Sequence, residues 1–157
     1  MHWLSLTLVI VILDWWSKNL ASQWLHYGIP TPVLPILDWT LLHNKGAAFS
    51  FLASGSGWQR WLFITITLVI TISLLIWLYH LPRNKPWIAI ALALILGGAL
   101  GNLYDRIFFR AVPDFIDFHI GNFHWFIFNV ADIFITIGLI CLIIAEFILN
   151  KKKDNEK

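Results

Sequence analysis

Four apolar stretches, each about twenty residues long, govern what this chain can fold into: roughly 2–20, 61–79, 87–106 and 126–149 of its 157 residues. A helix crosses a hydrocarbon layer of ~30 Å in about 20 residues. In lipid a continuously apolar segment must satisfy its own backbone, which selects helices over open strands. Composition agrees, with 59% hydrophobic and 13% charged residues, against about 25% charged in a soluble domain. Disorder, a coiled coil, a collagen-like repeat and an ordinary soluble domain are all excluded. The expectation is an α-helical polytopic membrane protein, with residues 1–157 forming a single membrane-embedded domain. The first stretch begins at His2, has no basic leader and lacks a small-residue cleavage site, so it reads as a retained span.

Lysine and arginine set the expected orientation. Arg83 and Lys85 in the short loop between the second and third spans, with Lys151, Lys152, Lys153 and Lys157 in the basic tail 150–157, make six of the eleven basic residues. The positive-inside rule assigns that loop and both termini to the cytoplasm. Residues 21–60 and 107–125 then face outward, on a side rich in Trp24, Trp39, Trp58 and Trp125. Within 21–60, the stretch Val33–Leu42 is strand-like and bounded by prolines, which predicts a small extracytoplasmic β-element.

Charged groups inside spans are costly and mark function by default. Here they converge at one depth. Asp14 and Lys18 lie near the outer end of the first span, Asn102, Asp105 and Arg106 at the outer end of the third, and Asn129 and Asp132 at the start of the fourth. The reentry segment Val112–Asp117, carrying Asp114, falls between the last two spans at the same level, and Asn44 belongs to the outer loop. Asn102, Asp105 and Arg106 share one helical face. Gly97, Gly98 and Gly101 precede them, and Gly97 with Gly101 forms a small-xxx-small pair that lets another helix approach.

Plainer roles account for part of this cluster. Asp14 and Lys18, one turn apart, read as a structural ion pair. Asp105 beside Arg106 suits a helix end, and Asp132 suits a helix N-terminus. The single cysteine, Cys141, sits mid-span as filler and excludes an internal disulfide. The six histidines have no metal-ligand spacing, and no serine has a histidine in a nucleophile motif. No metal and no other cofactor is expected, and a net charge of +2 gives no reason to expect nucleic acid.

What remains is a pair of carboxylates, Asp114 and Asp132, with amide and guanidinium support. Two carboxyls close together in low dielectric share one proton. One can then activate a water while the other donates to a carbonyl, which is peptide hydrolysis without metal or nucleophile. A small proton- or ion-coupled carrier could use the same residues, and a non-catalytic assembly module could be built on the glycine face.

The motifs add a resemblance. Asp14-x-x-Ser17-Lys18, Asn44-Lys45-Gly46-Ala47-Ala48-Phe49, Gly97-Gly98-Ala99-Leu100-Gly101-Asn102-Leu103-Tyr104-Asp105-Arg106, Val112-Pro113-Asp114-Phe115 and Phe128-Asn129-Val130-Ala131-Asp132 occur in that order. The chain resembles the bacterial signal peptidase II family over Asp14 to Asp132. The resemblance implies four transmembrane helices with a small extracytoplasmic β-cradle. It implies an aspartic endopeptidase of the bacterial inner membrane that removes signal peptides from diacylglyceryl-modified prolipoproteins, cutting before the lipidated cysteine. It carries the catalytic roles onto Asp114 and Asp132, and substrate-holding or dyad-supporting roles onto Asn44, Asn102, Arg106 and Asn129. Lipidated prolipoproteins and membrane phospholipid are the expected partners of a monomer, with the active site near the extracytoplasmic face. Pro113 and Tyr104 depart from the family's usual aliphatic residues, and Asp105 is the alternative dyad member.

Overall fold

A computed structural model describes residues 3–45 and 58–155, with side chains through residue 148. His2, the Gly46–Phe49 part of the second motif and the side chains of the basic tail lie outside the described residues. Four helices form: α1 (Trp3–Trp24), α2 (Trp58–His80), α3 (Pro86–Phe108) and α4 (Val130–Asn155). Each is long and apolar enough to cross a membrane, with a mean hydropathy between 1.3 and 2.4.

α3 is the hub, and its sequence explains why. Thirteen of its residues are buried, among them Ala89, Ala91, Ala93, Gly97, Gly98, Ala99 and Gly101. Small side chains let backbones approach closely where no hydrophobic drive pulls helices together in lipid. A Cβ on Gly97 would meet Ile10 of α1 at 2.6 Å, and one on Gly98 would run into the Ala131 carbonyl of α4. α1 and α4 therefore close on α3 at the same height. α2, α3 and α4 meet at the opposite end around Ile88, Leu92 and Ala145. The outward faces carry exposed apolar residues such as Leu8, Val69 and Ile143, as lipid-facing surfaces require.

At the other end sits a four-stranded antiparallel sheet in the order β1 (Thr31–Leu34), β2 (Leu37–Asn44), β3 (Val112–Ile120), β4 (Phe123–His124). The strand-like stretch Val33–Leu42 is thus a hairpin of two strands. Val112–Asp117, expected as a reentrant turn, is instead the beginning of β3, which pairs with β2 from Val112 to Phe118. Pro113 and two aspartates obscure the strand alternation there. Between Trp39↔Ile116 and Leu42↔Asp114 the register gains one residue on β2. Such a bulge flips every later side chain to the other face. It turns Leu42 and Asn44, rather than Leu41 and His43, to the face carrying Asp114.

The sheet docks on the bundle through Ala21, Leu41, Phe115 and Ile116, against which Phe128, Val130 and Ile133 pack. The fourth span was expected from residue 126, but α4 begins at Val130. Phe128 is extended and exchanges hydrogen bonds with Ile116, donating at 3.1 Å and accepting at 2.8 Å. Apolarity alone does not distinguish an extended segment from a helix, and the sheet claims these residues first.

Candidate active site

Asn129 sets the geometry of the site. It precedes α4, and its Oδ1 accepts from the Asp132 N–H at 3.1 Å while its own N–H donates to Asp132 Oδ2 at 3.2 Å. This reciprocal pair is a capping box, and it satisfies two backbone donors at a helix start. A third donor, the Ala131 N–H, is taken by Asp14 Oδ1 of α1 at 2.9 Å. The start of α4 is therefore held from two helices, which fixes where Asp132 points.

The side-chain amide of Asn129, fully buried, donates to Asp114 Oδ1 at 2.6 Å. One residue thus touches both carboxylates, which come from different elements, β3 and α4. Asn44 donates to the other oxygen of Asp114 at 2.9 Å, delivered there by the β2 bulge. Asn102 of α3 donates to Asp132 Oδ1 at 2.8 Å, and its own oxygen accepts from Asn129 at 3.2 Å and from Lys18 at 2.8 Å. Three asparagines therefore form a connected amide frame around two acids. Arg106 Nη1 donates back to the Asn102 carbonyl at 3.2 Å, and its charge acts on both Asp132 and Asp114.

Lys18 anchors the frame from below. Its ammonium reaches Asp14 at 2.6 Å, Asp105 at 2.7 Å and Asn102 at 2.8 Å, which uses all three donors. Asp105, which beside Arg106 suits a plain helix end, instead pairs across helices with Lys18. Gly101 is required at this point, since a Cβ there would overlap the Asp14 carboxylate.

Burial pushes the Asp114 carboxyl up to about 6. Hydrogen bonds from Asn44 and Asn129 and the Lys18 charge work against this, and the neighbouring Asp132 adds to it. Desolvation prevails because Asp114 is only 4% exposed. A carboxyl ionising near neutrality beside a second carboxylate is the arrangement for exchanging a proton with a water and a carbonyl.

Sequence reasoning missed two features. Arg60 of α2 donates to the Arg106 and Ile107 carbonyls, both at 2.7 Å, and so caps the end of α3. On the sheet, Asp117 accepts from Thr40 at 3.0 Å and lies 2.9 Å from His124. Neither was legible locally, because Arg60 stands 46 and 47 positions from its acceptors and Thr40 stands 77 from Asp117, while the contact of Asp117 with His124 depends on the turn from β3 to β4. The capping box was legible, because Asn129-x-x-Asp132 ahead of an apolar run is a helix-start signal.

Comparison with known proteins points one way. A family model described as signal peptidase (SPase) II matches residues 6–148. The lipoprotein signal peptidase of Acinetobacter baylyi is 49% identical over 151 residues, covering 96% of this chain and 84% of that protein. That of Pseudomonas putida is 48% identical, covering 97% and 90%. A bacterial membrane enzyme solved by the in meso method at 1.9 Å resolution superimposes with a TM-score of 0.81 at 34% identity, covering 92% of this chain and 91% of that one.

Proposed function

The chain belongs to the signal peptidase II family, and on that premise we propose that Asp114 and Asp132 are its catalytic pair. The protein is a multi-pass membrane peptidase of the aspartic type that removes signal peptides from prolipoproteins. The carrier and assembly-module readings are not favoured, since the relatives above are named as peptidases. Residues 1–157 act as one membrane-embedded domain and as a monomer in contact with phospholipid.

The observation that carries the pair is the double grip of Asn129, whose amide holds Asp114 while its backbone holds Asp132. A water between the two carboxyls attacks the scissile carbonyl carbon. Asp132 takes the water's proton, and Asp114, the acid held near 6, protonates the carbonyl oxygen. Collapse of the tetrahedral diol returns a proton to the leaving nitrogen and restores the shared-proton state. Asn44 serves both protonation states of Asp114, because an amide can present N–H or oxygen to the same neighbour. Arg106 and Asn102 hold the substrate backbone and fix Asp132. Asp14, Lys18, Asp105 and the glycines Gly97, Gly98 and Gly101 are structural.

Cleavage falls just before the lipidated cysteine, with the diacylglyceryl group held in the outer leaflet. The termini are cytoplasmic, and the sheet end, with the site, faces outward in the bacterial inner membrane.

Single-turnover cleavage of a lipidated precursor by purified variants tests the assignment. Asp114→Asn and Asp132→Asn each abolish turnover, and the double variant is no worse than either, because the pair acts as one unit. A folded Asp105→Asn that loses turnover while Asp114→Asn retains it would move the dyad to Asp105.

A further inference from the structure

At the level of the dyad, but behind it, lies a cavity of about 490 Å³ between the sheet-bearing ends of α1 and α3. His43 and Pro113, which line it, face each other across β2 and β3. They are one residue from Asn44 and Asp114 and so belong to the reverse face of the sheet. The peptidase chemistry does not use this cavity.

Its rim is cationic. Lys18 and Asp105 form part of the wall, in a buried triad with Asp14 that holds one more carboxylate than cation, and Lys45 and Arg110, both exposed, outweigh it and leave the cleft formally positive. Arg110 has a φ of 64°, and no other described non-glycine residue has a positive φ. That conformation costs an arginine about 1–2 kcal/mol, and it occurs where the chain turns from α3 into β3.

The cavity does not end at the charged rim. A second space of about 140 Å³ shares Trp15 and Asp105 with it and runs one turn further from the sheet, past Val11, Ile12, Gly101 and Tyr104, with the buried Asp14 at its back. Exposed Trp15 and Phe109 flank the upper cavity. Cations at the headgroup level, an aromatic rim and an apolar groove beneath are the complement of an anionic lipid. A diacylglyceryl group carries no phosphate and has no use for the two cations.

We propose that this cleft binds one anionic glycerophospholipid, with its phosphodiester between Lys45 and Arg110 and an acyl chain along Val11, Ile12 and Tyr104. The bound lipid wedges against the Lys18–Asp105 pair, and so against the amide frame that Lys18 supports through Asn102. The inference rests on the assignment of the dyad to Asp114 and Asp132, since Asp105 lines this cavity, but not on which side of the membrane the sheet faces.

Native mass spectrometry of the delipidated full chain tests it. The ligands are phosphatidylglycerol, diacylglycerol with the same chains, glycerophosphoglycerol and inorganic phosphate. Phosphatidylglycerol is retained one per chain, diacylglycerol binds at least about tenfold more weakly, and the two chainless anions are not retained. Lys45→Gln and Arg110→Asn each weaken phosphatidylglycerol by about fivefold, the value of one cation near a headgroup. Asparagine tolerates the left-handed backbone at 110, and Arg110→Lys restores binding. Ile12→Trp, which fills the lower groove, weakens the lipid without touching a charge. Equal retention of phosphatidylglycerol and diacylglycerol, or undiminished binding by the Lys45→Gln/Arg110→Asn double variant, overturns the proposal. Competition by inorganic phosphate as strong as that by the lipid would also overturn it, in favour of a free-anion site. Binding is read without substrate, so failure here leaves the peptidase assignment standing.

Discussion

Asp114 is folded at a cost that depends on pH, and this separates catalysis from stability. Its carboxyl ionises near 6 in the folded chain and near 3.8 in the unfolded one, so the folded state holds the proton more tightly. Stability is then greatest below pH about 4, falls as the pH rises to about 6, and is level above that. Asp114→Asn abolishes this dependence. Its stability relative to the native chain rises by up to about 3 kcal/mol between pH 4 and pH 7.5, while its turnover is lost. Thermal melts in detergent at the two pH values check this, and a difference independent of pH would contradict it. Asn129 offers a second separation. Serine keeps the N-cap oxygen but removes the amide donor to Asp114. Asn129→Ser keeps the cap at little cost but leaves the Asp114 and Asn102 oxygens short of a donor, so it folds with a loss of about 1–3 kcal/mol and loses about a hundredfold in kcat/KM, as removal of a positioned donor does. A variant that unfolds, or one that cleaves normally, would deny Asn129 its role as the bridge.

Each element is placed by a small number of close approaches rather than by broad apolar burial. α4 starts where it does because Asn129, Asp132 and Asp14 satisfy its first N–H groups. α1 approaches α3 over Gly97 and Gly101, and the second of these makes room for the Asp14 carboxylate. Gly101→Ala pushes that carboxylate from both Lys18 and the Ala131 N–H. Overpacking of this kind costs about 1–3 kcal/mol, and here it also loosens the helix that carries Asp132. Lys18→Met is more severe, since it strands Asp14 and Asp105 as buried carboxylates, and breaking such a pair costs about 3–5 kcal/mol. Denaturation of the two variants in mixed detergent micelles should rank them in that order. A Lys18→Met protein as stable as the native one would mean that the buried triad is not holding α1 to α3.

At the scale of the molecule, the charged loop and the sheet mark opposite ends of one bundle. Asn84, in the turn between α2 and α3, and Asn122, in the turn between β3 and β4, are both exposed. In a Cys141→Ser background, Asn122→Cys in spheroplasts reacts with a membrane-impermeant maleimide, and Asn84→Cys reacts only after lysis. Labelling of Asn84→Cys in intact spheroplasts would invert the proposed orientation. The sheet itself is stabilised at this scale, since its docking residues come from α1, β2 and β3 together, and no pair of these elements forms that surface alone.

How much of this was legible in the sequence follows from the range of the forces involved. Hydropathy over twenty residues is a local sum, so the four spans could be read directly, as could the small-residue face of α3. Helical spacing and alternation of direction were enough to bring Asp14, Lys18, Asn102, Asp105, Asn129 and Asp132 to one depth. The partner of Asp105 was not readable, because Lys18 stands eighty-seven positions away and only the crossing of α1 over α3 joins them. Nor was the strand character of Val112–Ile120, since a strand is satisfied by its neighbours and β3 finds its neighbour in β2, across two intervening helices. The position of Asn44 depends on one extra residue in that pairing. The apolar pattern thus determined which segments enter the membrane and at what level the polar groups lie. Hydrogen-bond register, which has no local signature, decided which of those groups touch.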